Sequence, residues 1–172
     1  MTHRSDHIAM QFREPSGAVF SECRKYRYLL WRFWDRSRPP LGWIALNPST
    51  ADEVKDDPTV SRCIIRSGRL GYGGIVLGNI YGYRATDPAE MERQADPVGM
   101  ANDAALLHIA RFCPVVVCAW GNHATIGRQE LVVGMLRAMQ KPPTLKHLGM
   151  TKTGRPKHPL YIGYSKELEE WK

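Results

Sequence analysis

Apolar positions recur along this chain with two periods, and the period changes several times. The run Tyr26-Arg27-Tyr28-Leu29-Leu30-Trp31-Arg32-Phe33-Trp34 is rich in aromatic and apolar residues and predicts a strand. With Val19-Phe20 it forms an expected hairpin. Pro39-Pro40 punctuates, and Trp43-Ile44-Ala45-Leu46 predicts a short buried strand ending at Asn47-Pro48. Asp57-Pro58-Thr59 starts a helix, with an aspartate at the cap and a proline at the first helical position. Val60, Cys63, Ile64 and Ser67 then recur at helical spacing until Gly71-Tyr72-Gly73-Gly74 ends the run. Ile75-Val76-Leu77-Gly78 predicts the next strand, which stops at Asn79. A loop with Arg84-Ala85-Thr86-Asp87-Pro88 follows. Residues 100–112 predict a helix, 115–119 a strand, 129–139 a helix and 144–148 a strand. A basic loop over 151–157 leads to His158-Pro159-Leu160-Tyr161, and residues 165–171 are expected to form a short helix.

Alternating strands and helices imply parallel pairing with right-handed crossovers. The predicted fold is therefore α/β: three layers, α/β/α, around a four-stranded parallel sheet, with an N-terminal β-hairpin added. Residues 1–17 are expected to be a flexible tail and 18–172 a single domain. The chain's 172 residues suit one domain, and 43% hydrophobic residues suffice for a core. No apolar run reaches the ~20 residues of a membrane helix. The polar start, Met1-Thr2-His3-Arg4-Ser5-Asp6-His7, has no secretory apolar region, so a cytoplasmic location is expected. In that compartment Cys23, Cys63, Cys113 and Cys118 predict no disulfide framework, and no pair has C-x-x-C spacing. No metal, no cofactor and no membrane are expected, and a monomer is.

Charge sharpens the picture. The net charge is +7 and the sequence pI about 9.4. The first fifty residues and residues 101–172 are basic, whereas the middle is acidic. A basic domain either keeps itself soluble or meets phosphates.

In parallel sheets, ligands bind beyond the carboxyl ends of the strands. That rule selects Asn47 to Asp52 after the first parallel strand, then Asn79, Tyr81, Tyr83 and Arg84 after the second. It adds Gly121-Asn122-His123 after the third, then Lys152, Arg155, Lys157 and His158 after the fourth. Other chemistries lack their residues. The glycines at 71–74 precede a strand, whereas a dinucleotide site needs them after one, and neither H-E-x-x-H nor G-x-S-x-G occurs. His108 and His147 fall on predicted elements and read as structural, as does Trp120, while His3 and His7 read as inert tail residues.

Two resemblances rest on these segments. The blocks Leu46-Asn47-Pro48-Ser49-Thr50-Ala51-Asp52, Arg84-Ala85-Thr86-Asp87-Pro88, Ala119-Trp120-Gly121 and His158-Pro159-Leu160-Tyr161 look like the signature of an uncharacterised bacterial and phage domain-of-unknown-function family. That likeness spans nearly the whole chain from Tyr26 and carries no assigned reaction. The order of the blocks also resembles the uracil-DNA glycosylase superfamily. Its catalytic motif with Asn-Pro or Asp-Pro, its strand-ending Asn, its Trp-Gly pair and its His-Pro motif have counterparts here in Asn47-Pro48, Asn79, Trp120-Gly121 and His158-Pro159.

The resemblance implies hydrolysis of an N-glycosidic bond by water, with base flipping. Asn47 would hold the water and His158, neutral, would donate to the departing base. Asn79 would read the base edge, with Asp52, Tyr81 and Tyr83 around the pocket. Lys152, Arg155, Lys157 and Arg84 would grip phosphates, and Leu160 or Tyr161 would fill the gap left by the flipped nucleotide. Two departures point away from plain uracil. The stretch after Asn47-Pro48 is acidic rather than aromatic, and no serine follows His158-Pro159. Together with Asp52, Tyr83 and Arg84 they suggest a more polar, modified pyrimidine such as a modified cytosine, and a role in repair or defence against modified phage DNA. DNA is the expected partner. The alternatives are a hydrolase or transferase for free modified nucleosides or nucleotides, and a non-catalytic nucleic-acid-binding module.

Overall fold

The computed structural model describes residues 11–172. The expected tail falls partly outside the described residues, His3 and His7 with it. Residues 12–17 do not behave as a tail. Phe12 is buried, edge-on to Trp31 with ring centres 5.1 Å apart, and the first strand starts at Ser16. The boundary expected at residue 18 therefore moves toward the N-terminus, because Phe12 closes the core over Trp31 and Phe33.

The strands are β1 (Ser16–Phe20), β2 (Arg27–Phe33), β3 (Pro40–Ala45), β4 (Gly74–Asn79), β5 (Val115–Cys118), β6 (Thr144–His147) and β7 (Glu169–Glu170). They form one mixed sheet in the order β1-β2-β4-β3-β5-β6-β7. The helices are α1 (Pro58–Arg69), α2 (Pro88–Glu92), α3 (Asn102–Phe112) and α4 (Ile126–Arg137). The fold is thus mixed α/β, with seven strands in the sheet rather than four. The predicted parallel strands β4, β3, β5 and β6 are its middle. The hairpin is not an appendage, since β2 pairs antiparallel with β4 and brings β1 with it.

The other extra strand corrects a second expectation. Residues 165–171 are not a helix: Glu169 and Glu170 pair antiparallel with His147 and Lys146. Strand β6 would otherwise be an open edge with unpaired backbone groups. Pairing also seats Trp171 against Trp120, ring centres 5.8 Å apart, where a helix would carry it off the sheet. The short helix α2 was expected as loop, although Asp87 and Pro88 cap it as Asp57 and Pro58 cap α1.

The central strands alternate between two cores. Leu41 and Trp43 of β3, Ile75 and Leu77 of β4 and Val117 of β5 pack with Val60 and Cys63 of α1. Ile44, Val76, Val116 and Cys118 pack with α3 and α4 through Leu106, Ile109, Val132 and Leu136. Trp43 is fully buried, and its indole nitrogen donates to Ser67 Oγ at 3.0 Å, which explains a serine on the apolar face of α1. His147 is structural, its Nδ1 accepting the Gly149 amide at 3.0 Å, and His108 stacks on Phe12. Cys63, Cys113 and Cys118 are buried free thiols, and Cys23 is exposed. Among the described residues no helix is long and apolar enough to cross a membrane.

Helix α1 leaves β3 for one face, and α4 leaves β5 for the other. Because β3 and β5 are neighbours, their departing chains diverge and open a crevice at the carboxyl edge.

Candidate functional site

That crevice is a cavity of about 620 Å³, within the range usual for small-molecule sites. Its walls come from three segments: Leu46 to Ser49 beyond β3, Trp120 to His123 beyond β5, and residues of the stretch from Thr151 to Ile162. The start of α1, Asp57-Pro58-Thr59, forms a further wall, and Ala85, Thr86 and Pro88 another.

Three of the walls are anchored by buried or half-buried polar bonds. The loop after β3 is held by arginines from the hairpin. Arg27, 2% exposed, donates to the Ala51 carbonyl at 2.8 Å. Arg32 donates to the carbonyls of Asp52 and Lys55 and pairs with Asp56. Burial lowers the Arg27 pKa to about 10, opposed by the nearby Asp57, so it stays charged at neutral pH. Helix α1 holds the 158–166 segment: Arg62 donates to the Leu160 and Ile162 carbonyls, and Arg66 to those of Gly163 and Lys166. Gln129 accepts from the Trp120 indole at 2.9 Å and donates to the Gly154 carbonyl at 3.0 Å, tying the third wall to the second.

Asn47 and His158 both line the cavity. The Asn47 Nδ2 donates to the Ala85 carbonyl at 2.7 Å and to the Pro48 carbonyl at 3.1 Å. Its Oδ1 has no protein donor among the described residues and is left as an acceptor. His158 caps the short 3-10 turn Pro159–Tyr161, its Nδ1 accepting the Leu160 amide at 3.4 Å. An accepting Nδ1 puts the proton of a neutral ring on Nε2. The ring is kept neutral because burial pulls its pKa down to about 4; His123 acts in the same sense and Asp57 opposes. Gly121, at φ +73°, lies against the base of this side chain: a Cβ built there would stand 3.3 Å from the His158 Cβ.

Asp57 is the functional candidate that sequence reasoning missed. It was read only as a helix cap, and it is one: Oδ1 accepts the Val60 amide at 2.9 Å, and Oδ2 the Ala51 amide at 3.3 Å. Yet it also lines the cavity, and a carboxylate has lone pairs beyond those two bonds. The signal was available, since an N-cap carboxylate in the β3–α1 crossover sits at the ligand edge by construction.

The remaining residues divide. Lys157, Leu160 and Tyr161 line the cavity, Tyr161 81% exposed at its mouth. Asn79 does not line it. It is buried, with Oδ1 accepting from Arg27 and its carbonyl from Asn102, because the strand end lies beneath the loops rather than at their surface. Tyr81 is buried as well, its hydroxyl accepting the Thr125 amide at 3.1 Å ahead of α4. Asp52 closes its own turn, accepting the amides of Val54 and Lys55. Arg155 spends its guanidinium on the carbonyls of Ala124 and Thr153, and exposed Lys152 lines neither cavity. Tyr83 and Arg84 line a second, shallower cavity of about 460 Å³ across the Ser49 and Thr86 wall.

Fold and site thus define an α/β protein with a cavity at the carboxyl edge of its parallel strands, its lining largely apolar but furnished with an amide, an imidazole and a carboxylate. The chain belongs to the family described as Protein of unknown function (DUF1643), whose pattern matches residues 27–160. That span begins at the buried Arg27 and ends beside the cavity at Leu160. No curated protein and no solved structure matches the chain.

Proposed function

We propose that the protein hydrolyses the N-glycosidic bond of a non-standard or modified pyrimidine in DNA, in the manner of the uracil-DNA glycosylase superfamily it resembles. The observation that carries this reading is the shared cavity: Asn47 and His158, far apart in the chain, line one open crevice. The reading also draws on the four parallel strands at the middle of the seven-stranded sheet, which carry helices on both faces.

In this reading the base sits in the cavity with an oxygen toward His158 Nε2–H. The C1′–N bond breaks, and its electron pair goes to the base. Water held by Asn47 Oδ1 bonds to C1′. A carboxamide takes no proton, so the water's proton passes to the Asp57 carboxylate or to the departing base. Negative charge on Asp57 favours the cationic sugar of the transition state, and the His158 donor favours the anionic base. Because Asp52, Tyr83 and Arg84 lie away from the cavity, polar recognition falls instead to Asn122, His123 and Thr151.

The test is incubation with duplexes carrying uracil, mismatched thymine or bulky modified cytosines, followed by detection of abasic sites. Abasic sites with at least one base support the reading. Their absence across the panel, with release from free nucleosides instead, moves the substrate to the nucleoside class.

A further inference from the structure

The second cavity adjoins the first but contains none of the groups given a role in bond cleavage. Ser49, Ala85 and Thr86 line both, so the two hollows share one wall. Beyond that wall the lining turns basic: Arg24, Lys25 and Arg84 against a single carboxylate, Glu90. Arg24 is already committed, both Nη atoms bonding Glu53. Lys25 and Arg84 have no acidic partner within ion-pair distance among the described residues. The Nε of Arg84 is buried and lacks a hydrogen-bond partner. Ser49, Thr50 and Tyr83 add hydroxyls.

This corner is preorganised. The Arg84 amide donates to the Lys25 carbonyl at 2.9 Å, and its guanidinium to the Arg24 carbonyl at 3.2 Å. The Arg24 and Arg84 guanidiniums both lie over the Phe20 ring, 3.9 and 4.8 Å from its centre. Arg24 itself stands at φ +56°, a left-handed conformation uncommon for a non-glycine residue, at the tip of the β1–β2 hairpin. Unpaired cations beside hydroxyls, on backbone fixed from two elements, suit the oxygens of a phosphodiester.

We propose that the second cavity seats a phosphate of the nucleotide neighbouring the one held in the main cavity, with Lys25 and Arg84 as its cationic ligands. The proposal rests on the polynucleotide reading above. It gives the strand a course: past Lys25 and Arg84, over the Ser49 and Thr86 wall, then toward Lys157 and Tyr161 on the far side. The cations expected in the 151–157 loop contribute Lys157 only; Arg84, which the sequence already assigned to phosphates, is joined by Lys25 of the β1–β2 hairpin, to which sequence reasoning gave no ligand.

The test is fluorescence anisotropy of a short labelled DNA duplex, and of its single strand, over a range of salt. Each phosphate contact contributes about 0.9 to the slope of log affinity against log salt on duplex, and about 0.7 on single strands. Lys25→Gln and Arg84→Gln should each lower that slope by roughly one such increment. Lys141→Gln, in the α4–β6 connection, should leave it unchanged. Arg84 braces the hairpin, so Lys25, whose ammonium makes no hydrogen bond among the described residues, is the cleaner variant. If wild type binds and both slopes equal its own, the phosphate seat is overturned while the base-release reading stands. If wild type binds neither probe, the seat and the polynucleotide substrate fall together.

Discussion

Replacing His158 with asparagine should change the acid stability of the protein by an amount that follows from the site. The Oδ1 of asparagine can take the place of the imidazole Nδ1 as acceptor for the Leu160 amide, so the 3-10 turn keeps its cap. What disappears is a ring whose pKa falls from 6.5 to about 4 on folding, chiefly through burial. The unfolded chain then takes up a proton before the folded one. Stability tied to this ring is fully present above about pH 6.5 and is lost as the pH falls toward 4. The full shift corresponds to about 3 kcal/mol, of which about 2 kcal/mol is gone by pH 4.5. Urea unfolding of both proteins at pH 7 and pH 4.5 reads the difference directly. Groups common to both cancel, including His108 and His147, which burial also holds below the ordinary histidine value. Wild type should lose about 2 kcal/mol more than the variant over that interval, after subtraction of any offset at pH 7. Equal losses would mean that the ring charges as it does in water, and the neutral Nε2 donor would have to be abandoned.

Three further outcomes are expected. Asn47→Asp sets a carboxylate oxygen against the Ala85 carbonyl, 2.7 Å from the present amide nitrogen, and should destabilise by about 1–3 kcal/mol in denaturant midpoint. Gly121→Ala combines φ +73° with a Cβ 3.3 Å from that of His158, so it should cost about 1–2 kcal/mol and reduce base release; unchanged stability and rate would show that the backbone yields there without moving the ring. With a histidine that acts neutral and titrates near 4, the rate of base release should be flat from about pH 5.5 to 8, and an inflection near 6.5 would assign the histidine a charged role.

Much of this architecture was legible because burial leaves a period in the sequence. Strands β3, β4 and β5 are short apolar runs flanked by proline, glycine or asparagine, and the helices between them fix their parallel sense. Asn47 and His158 were reachable by one topological rule, that ligands gather where parallel strands end. Asn79 obeys the same rule in sequence but lies a layer too deep, because Arg27 of β2 reaches under the loops and Asn79 answers it. Nothing in the run from Tyr26 to Trp34 distinguishes a fully buried arginine from an exposed one at a strand end. Strand β7 was illegible for a different reason. Two exposed glutamates carry no strand signal, and the pairing is fixed by the open edge of β6 and by Trp171 packing on Trp120.

The central claim is that Asn47 and His158 act on one bound nucleotide, and quantifying abasic sites formed by wild type, Asn47→Ala and His158→Asn on the same modified duplexes tests it most directly. With all three folded by circular dichroism, wild type should release base, and each variant should be slower by about 100-fold or more, the usual loss for one preorganised transition-state contact. Release at wild-type rates by both variants, or by none of the three on any duplex, would contradict it.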